Sequence, residues 1–201
     1  MTNLAVIYYS ATGTLDAMAR RCAQAGEKAG AEVRLRRVVE NAPREPVTSN
    51  PRWQRHVEEV AGEPTATADD IVWADAVLVG TPTRYGNVAS QLKAFLDSLG
   101  PQWQQGLLAD KAYGAFTASS TAHGGQETTL LTLFNTICHF GGILVPPGYT
   151  DQVKFTEGNP YGVSHVSGPD SDEPLGEPQL QALDHLTERV LGVAGKLSRA
   201  A

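Results

Sequence analysis

Residues 4–15, which read LAVIYYSATGTL, decide the fold of this 201-residue chain. Residues 4–9 form an apolar run of strand length without polar alternation, which is typical of a strand covered on both faces in a parallel sheet. Residues 14–29 carry helix-forming residues and end at Gly30, a common helix stop. The polar loop between them therefore lies at the carboxyl end of a strand and opens a helix.

Short apolar runs alternate along the rest of the chain with longer segments whose apolar residues recur at helical spacing. Further strands are predicted at 32–39, 76–80, 113–118 and 143–145. Helices are predicted at about 69–73, 88–98, 126–140 and 178–198. Strands separated by helices imply right-handed crossovers and a parallel sheet. We therefore predict an α/β fold, a doubly wound five-stranded parallel sheet in the order 2-1-3-4-5 with helices on both faces.

The chain length suits one domain that covers residues 1–201. Two stretches do not follow the alternation of predicted strands and helices. Residues 41–68 are rich in proline, and residues 150–177 are rich in glycine and proline. Connections of this length inside a compact domain usually serve a function or are disordered, so we predict two loop insertions.

Composition and charge argue against several classes of function. The net charge is −6 and the basic residues are scattered, whereas nucleic-acid binding needs clustered cations. No apolar run approaches the roughly 20 residues of a membrane span, and the chain opens directly into a strand, so we expect a cytoplasmic protein without membrane insertion. Cys22 and Cys138 lack metal-ligand spacing, and we expect two buried thiols and no metal site.

The loop after the first strand is a candidate phosphate site. Ser10, Thr12 and Thr14 offer hydroxyls, Gly13 offers flexibility, and the following helix offers free N–H groups. The loop contains neither G-K-[ST] nor G-x-G-x-x-G, so a Walker A site and a dinucleotide Rossmann site are both excluded. An ordinary N-cap by Ser10 or Thr12 would explain the same residues, and the loop alone does not decide between the two interpretations.

Two further loops emerge at the same sheet edge. Residues 80–87, GTPTRYGN, offer an aromatic face in Tyr85 for a flat heteroaromatic ring, and Arg84 for the ring or for nucleotide phosphates. Residues 118–127, ASSTAHGGQE, are small enough for the backbone to approach a ligand closely, with His123 as a surface residue or a ligand contact. Each loop alone also fits a plain βα connection. Three such loops at one edge predict a ligand site.

The sequence resembles the WrbA family of flavodoxin-like NAD(P)H:quinone oxidoreductases, nearly from end to end. The most specific match is the GTPTRYGN string of residues 80–87. Further matches are the segments 8–10, 95–97, 124–127, 145–149 and 159–162. The resemblance implies a flavodoxin-like fold, FMN as cofactor, NADH or NADPH as co-substrate, quinone reduction and assembly as a homotetramer.

The resemblance also implies roles for particular residues. The phosphate of FMN would be held by Ser10, Thr12, Gly13, Thr14 and Leu15. The flavin ring would be held by Pro82, Thr83, Arg84, Tyr85, Gly86, Asn87, Ser120, Thr121, Gly124 and Gly125. His139 matches a family histidine near the flavin and is the candidate catalytic residue, and Trp103 matches a family tryptophan at the substrate pocket. Without the resemblance, a helix-end histidine and a core or interface aromatic would explain both.

Two features depart from the family pattern. Thr12 stands where the family usually has an aromatic residue followed by Gly-His, so the loop is closer to a plain flavodoxin loop. The loop at 119–127 is one residue shorter than its counterpart. The insertions also contain apolar residues that suit subunit contacts around the flavin pocket, namely Trp53, Val153, Phe155 and Tyr161.

Three functions remain open at this point. The first hypothesis is ping-pong hydride transfer, in which NAD(P)H reduces the flavin and a quinone then takes the same slot, with His139 assisting the quinone oxygen. The acidic charge and the Thr12-Gly13-Thr14 loop also suit a flavodoxin-type one-electron carrier. A non-catalytic flavoprotein that binds a regulator is the third possibility, although no basic patch or partner groove is evident.

Overall fold

A computed structural model describes residues 1–200 of the chain, and side chains up to Ser198. Its centre is a parallel sheet in the order β2-β1-β3-β4-β5, which confirms the predicted order. The strands are β1 (Asn3–Tyr8), β2 (Glu32–Arg37), β3 (Ala76–Pro82), β4 (Ala112–Ser119) and β5 (Ile143–Leu144). Since all of them run in one direction, the loops that follow β1, β3 and β4 meet at one edge, called here the carboxyl edge.

Nine helices surround the sheet in the described part of the chain. They are α1 (Thr14–Lys28), α2 (Arg44–Ser49), α3 (Pro51–Glu59), α4 (Ala68–Trp73), α5 (Ser90–Asp97), α6 (Gly100–Gln104), α7 (Gln126–His139), α8 (Val153–Glu157) and α9 (Glu177–Ala200). One apolar core lies between the sheet and the helices α1 and α9. A second core lies on the other face, against α4, α5 and α7. Burial on both faces explains the uniformly apolar strands β1, β3 and β4.

The second predicted insertion contains part of the sheet. Residues Val163–Val166 form a further strand, β6, which pairs in parallel with Phe116–Ser119 of β4. The strand β5 pairs only with Ala112 and Tyr113, at the start of β4. The edge position beside β4 is therefore shared by two short strands, and the chain leaves it after β5 and returns at β6. The sequence predicted a loop insertion over 150–177 and did not indicate this strand.

The first predicted insertion is also largely regular. It forms the helices α2 and α3, the second of which begins with Asn50 as N-cap and Pro51 in its first turn. The Oδ1 atom of Asn50 accepts hydrogen bonds from the N–H groups of Arg52 and Trp53, at 3.1 and 3.2 Å. This N-cap and proline pair is a common helix-start signal, so helix α3 was predictable from the sequence.

The two cysteines differ in their surroundings. Cys22 is buried in helix α1, as expected, but Cys138 is exposed, so the prediction of two buried thiols was wrong. Helix α7 buries a stripe at Leu130, Leu133, Phe134 and Ile137. Position 138 lies outside this i, i+3, i+4, i+7 stripe and therefore faces outward.

The described residues also bear on membranes and metals. None of the helices within residues 1–200 combines the length and apolar character that a membrane span requires. No group of three or more His, Cys, Asp or Glu side chains in this range converges in a way that would hold a metal ion.

Candidate functional site

A cavity of about 230 Å³ opens at the carboxyl edge of the sheet, where the loops after β1, β3 and β4 meet. Eight of its lining residues carry hydroxyl groups. They are Ser10, Thr12, Thr14, Thr83, Ser119, Ser120, Ser167 and Ser171. The other lining residues are Ala11, Leu15, Asn50, Trp53, Pro82, Arg84 and Ala118. The cavity therefore offers many neutral hydrogen-bonding groups beside one aromatic ring.

The loop after β1 presents an open helix N-terminus to the cavity. Gly13 occupies the N-cap of α1 with φ of +98°, a conformation that favours glycine, and no described side chain caps the helix. The Ser10 Oγ atom instead accepts from the Gly13 N–H at 3.0 Å, which tightens the loop. The N–H of Ala17 makes the first intrahelical bond, to the carbonyl of Gly13. The amides that precede it are thus available to an anion.

The acidic residue in the first turn of α1 does not oppose an anion there. The carboxylate of Asp16 accepts from the Tyr8 hydroxyl and, at 2.8 Å, from Nε of Arg20. Burial, followed by this hydrogen bond, raises the pKa of the Tyr8 hydroxyl, which stays protonated as the donor. The charge of Asp16 is therefore paired behind the loop and does not line the cavity.

The loop after β3 ends in a tight turn. Arg84 and Asn87 exchange backbone hydrogen bonds at 2.8 and 3.0 Å. Between them, Tyr85 and Gly86 both have positive φ, at 54° and 77°. Two consecutive positive φ values are typical of a type I′ turn, and for a tyrosine this conformation is strained. The Tyr85 side chain is fully exposed at the tip, beside the mouth of the cavity.

Hydrogen bonds and glycine packing join this turn to the loop after β4. The Thr83 Oγ1 atom accepts from the Gly86 N–H and donates to the carbonyl of Gly124, both at 3.2 Å. Gly125 has φ of +88°, and a Cβ atom there would lie only 2.8 Å from the Cα atom of Gly86. The two loops are therefore in backbone contact, which requires glycine at position 125.

The strand β6 fixes the far side of the cavity. Backbone and side chain of Ser167, just after β6, both donate to the carbonyl of Ser119, at 2.8 and 3.2 Å. The buried side chain of Gln126 donates to Ser119 Oγ at 2.8 Å and to the carbonyl of His165 at 3.0 Å. An ion pair of 2.9 Å between Arg52 and Asp172 links the two predicted insertions at the rim. Both insertions thus wall the cavity within a single chain.

The electrostatic character of the cavity is nearly neutral. Arg84 is the one charged residue among the described lining residues, and its exposed guanidinium donates to the carbonyl of Thr83 at 3.1 Å. Behind the first loop, the His56 ring lies 3.7 Å from the position that a Cβ atom of Gly13 would occupy. Burial lowers the pKa of His56, which favours the neutral imidazole. An anion in the first loop would therefore be held chiefly by neutral donors.

The predicted site residues fall into three groups. Eight line the cavity: Ser10, Thr12, Thr14, Leu15, Pro82, Thr83, Arg84 and Ser120. Seven lie in the same loops but do not line the cavity: Gly13, Tyr85, Gly86, Asn87, Thr121, Gly124 and Gly125. The remaining two, His139 and Trp103, lie elsewhere in the chain.

His139 and Trp103 lie together at the opposite, amino edge of the sheet. Helix α7 starts at the carboxyl edge and ends with His139 just before β5 begins. The Trp103 Nε1 atom donates to the carbonyl of His139 at 2.7 Å. Since β4 has eight residues, the two edges are about 26 Å apart at 3.3 Å per residue. Neither side chain reaches the cavity of its own chain.

Sequence reasoning missed seven lining residues. They are Ala11, Asn50, Trp53, Ala118, Ser119, Ser167 and Ser171. Three of them, Ala11, Ala118 and Ser119, lie within the candidate loops quoted from the sequence, and Asn50 and Trp53 belong to the predictable helix start at Asn50-Pro51. Ser167 and Ser171 come from the segment that follows β6, which carries no comparable signal.

Comparison with known proteins places the chain among flavin enzymes. Residues 2–153 match the model of a family described as NADPH-dependent FMN reductase. A Deinococcus radiodurans protein named NAD(P)H dehydrogenase (quinone) is 44% identical over 195 residues, which cover 96% of each chain. A Rhodopseudomonas palustris protein of the same name is 37% identical over 98% of this chain and 99% of its own.

Solved structures agree on the fold. A crystal structure described as a flavodoxin, WrbA-like protein from Agrobacterium tumefaciens aligns with a TM-score of 0.67 at 22% identity. The alignment covers 98% of this chain and 99% of that one. At this level of identity the likeness concerns the flavodoxin-like fold, which is the fold predicted from the sequence.

Proposed function

The chain belongs to the NADPH-dependent FMN reductase family, and from this premise we propose that it is an FMN-dependent NAD(P)H:quinone oxidoreductase. The observation that carries the proposal is the hydroxyl-rich cavity at the carboxyl edge, which opens onto the uncapped N-terminus of α1. The curated relatives named NAD(P)H dehydrogenase (quinone), at up to 44% identity, supply the co-substrate and the acceptor class.

The residues of the cavity fit FMN. Its terminal phosphate carries a double negative charge, which suits the free amides of the first turn of α1 and the hydroxyls of Ser10, Thr12 and Thr14. The absence of lining carboxylates among the described residues removes repulsion that the phosphate would otherwise meet. The flat ring system would be held by the second and third loops, with Pro82, Thr83 and Ser120 along the cavity.

The protein positions the reactants, whereas the cofactor supplies the redox chemistry. Bound FMN would supply the two-electron redox chemistry that links NADH or NADPH to a quinone. The hydrogen bond from Thr83 Oγ1 to the Gly124 carbonyl oxygen, at 3.2 Å, fixes the second and third loops relative to each other, so the ring site is preorganised. Arg84 lies exposed at the mouth, where its charge favours the phosphates of an arriving nucleotide. We place the reaction in the cytoplasm.

A homotetramer would complete the site. The resemblance assigns Trp103 to the substrate pocket and His139 to the flavin, yet both lie at the amino edge, at the opposite end of the strands from the cavity of their own chain. Trp103 is half-exposed at 52%, and Leu107 beside it is also exposed. We infer that a partner subunit brings these residues to the mouth of the cavity. Activity that falls on dilution, in step with dissociation seen by light scattering, would support this arrangement.

The central test is an absorption titration of purified protein. Addition of FMN should give a bound flavin spectrum, anaerobic NADH or NADPH should bleach it, and benzoquinone should restore it. Restoration without a long-lived semiquinone supports two-electron transfer. Bleaching that benzoquinone does not reverse would reject quinone reduction.

Two results of the same titration favour the alternative functions. A semiquinone that accumulates on stepwise reduction would indicate a one-electron carrier. Protein that stays colourless after addition of FMN would contradict the proposal and favour a role in binding a regulator.

A further inference from the structure

A carboxylate that the proposed reaction does not use lies directly behind one wall of the cavity. Glu40 follows strand β2 and is half-buried. Its Oε2 atom accepts from the Tyr9 hydroxyl and from Trp53 Nε1, both at 2.8 Å. Its Oε1 atom accepts from Gln91 Nε2 at 2.8 Å and from the N–H of Ala42 at 2.9 Å. One carboxylate thus satisfies four donors from four parts of the chain.

Among these donors, Trp53 also lines the cavity. Its backbone N–H is held by Asn50 Oδ1 at 3.2 Å, and its indole N–H is held by Glu40. Trp53 is therefore held both at its backbone and at its indole ring, in an orientation that places it among the lining residues. The Tyr9 ring is almost completely buried and directly precedes Ser10, so the same carboxylate also connects the ring to the start of the first loop.

The network requires an acceptor without a proton. Burial alone would raise the pKa of Glu40, but the bonds from Gln91, Ala42, Tyr9 and Trp53 outweigh burial and hold the pKa below its ordinary value. A glutamine at this position would turn an NH₂ group toward two of the four donors. Either Trp53 and Tyr9 or Gln91 and Ala42 would then face a donor where they now have an acceptor.

We propose that Trp53 is a contact residue for the bound flavin and that Glu40 is the positioning residue that holds its indole against the cavity. The inference rests on the proposed function, because it takes FMN as the ligand. An aromatic face that is already immobilised binds a flat ring with a smaller loss of side-chain entropy.

The test measures the affinity of apoprotein for FMN through quenching of flavin fluorescence. Trp53→Leu removes the aromatic face and should raise the Kd about tenfold, since stacking of one aromatic side chain on a base is worth ~1–3 kcal/mol. Trp53→Phe keeps an aromatic face but loses the N–H that Glu40 holds, so it should raise the Kd by about fivefold, less than Trp53→Leu does. The control is Trp73→Phe, because Trp73 stacks with Arg34 away from the cavity and should leave the Kd unchanged.

A double-mutant cycle isolates the role of Glu40. Glu40→Gln should raise the Kd about fivefold in the wild-type background, but less than about twofold in the Trp53→Phe background, where the indole donor is already gone. Thermal unfolding of each apoprotein reports general loss of stability separately. Equal effects of Glu40→Gln in both backgrounds would overturn the positioning role.

The outcomes separate this inference from the proposed function. Wild-type apoprotein that fails to bind FMN would reject the proposed function itself. Wild-type protein that binds FMN, together with a Trp53→Leu variant of equal affinity, would reject the contact at Trp53 and leave the proposed function standing.

Discussion

The carboxyl and amino edges of the sheet differ in the residues that form them and in how those residues are held. At the carboxyl edge, loops of small residues are joined through Thr83, Gly86 and Gly125 and enclose a cavity within one chain. At the amino edge, the half-exposed ring of Trp103 and the exposed His139 sit together on the surface, joined by one hydrogen bond of 2.7 Å. The first edge is internally complete, whereas the second presents side chains outward.

This difference explains how one chain can carry both halves of a site without bringing them together. Because parallel strands send every βα loop to the same edge, the cofactor residues are gathered by topology alone. Residues at the ends of the intervening helices are sent to the other edge by the same topology. We therefore propose that the flavin half of the site belongs to one chain and that another copy completes the substrate half. Four predictions probe this contrast, in order of decreasing effect.

The buried ion pair that anchors β6 should give the largest effect. Lys154 and Glu157 are both fully buried, Lys154 Nζ also donates to the carbonyl of Gly162 at 2.8 Å, and Glu157 Oε1 accepts from the N–H of Ser164 in β6 at 2.8 Å. Lys154→Met leaves a buried carboxylate uncompensated and should lower the free energy of unfolding by about 3–5 kcal/mol. Chemical denaturation measures this loss.

The control for this prediction is the exposed pair at the other side of the sheet. Lys93→Met removes an i, i+4 pair with Asp97 and should cost less than about 0.5 kcal/mol. Since β6 leads into Ser167, Lys154→Met should also weaken FMN binding, whereas Lys93→Met should not. Equal stability of the two variants would contradict a structural role of the buried pair.

The glycine contact at the carboxyl edge should give the next effect. Gly125→Ala introduces a Cβ atom 2.8 Å from Gly86 Cα at φ of +88°, and we expect a loss of about 3 kcal/mol from strain and overpacking. Gly30→Ala is a matched control at the amino edge, because Gly30 has φ of +82° with no atom within 4 Å of the added Cβ. It should cost about 1 kcal/mol from strain alone.

The free energy of unfolding and the Kd for FMN, measured for both glycine variants, distinguish the two edges. Gly125→Ala pushes the second and third loops apart, so its Kd for FMN should rise. Gly30→Ala should leave the Kd unchanged. If both variants lose the same stability and affinity, the close approach of the two loops is not what shapes the cavity.

Removal of the cavity's charged residue should give a moderate effect on binding. Arg84→Ala should raise the Kd for FMN about fivefold at low ionic strength, and the difference should shrink in 0.5 M salt because the charge is exposed. Arg52→Ala is the matched control, since that guanidinium at the same rim is already paired with Asp172 at 2.9 Å. An Arg84 effect that is independent of salt would indicate packing instead of charge.

Local sequence signals predicted the strands and helices whose pattern of apolar residues is complete within a short stretch of sequence. The apolar strands β1, β3 and β4 and the helices α1 and α7 follow from runs and periods that a short window contains, and burial on both faces makes those runs unmistakable. Strand β6 has only four residues, two of them the polar Ser164 and His165, and it exists because the second half of β4 offers a free edge. Nothing within those four residues predicts that partner.

The same distinction applies to the site. The phosphate loop and the GTPTRYGN string are contiguous, so their chemistry was visible in the sequence. Glu40 was not, because its partners Tyr9, Trp53 and Gln91 lie 31, 13 and 51 residues away. The place of His139 at the amino edge follows from the predicted helix at 126–140 and strand at 143–145. The subunit whose cavity His139 and Trp103 would serve was hidden, since a family resemblance implies a role but not the subunit that performs it.

The smallest effect concerns the pH dependence of stability near the phosphate loop. Burial lowers the pKa of His56 in the folded protein, while Asp16, Glu59 and Glu63 act in the opposite direction and Arg20 reinforces burial. The folded state therefore binds fewer protons than the unfolded state just below the ordinary histidine pKa of about 6.5. The stability that depends on neutral His56 is present above this value and is lost as the pH falls through the lower, folded pKa.

Urea denaturation between pH 8 and pH 5 should reveal this loss of stability in the wild type, and the His56→Gln variant should show a flatter profile of stability against pH. A His56→Gln profile as steep as that of the wild type would assign the loss to other groups.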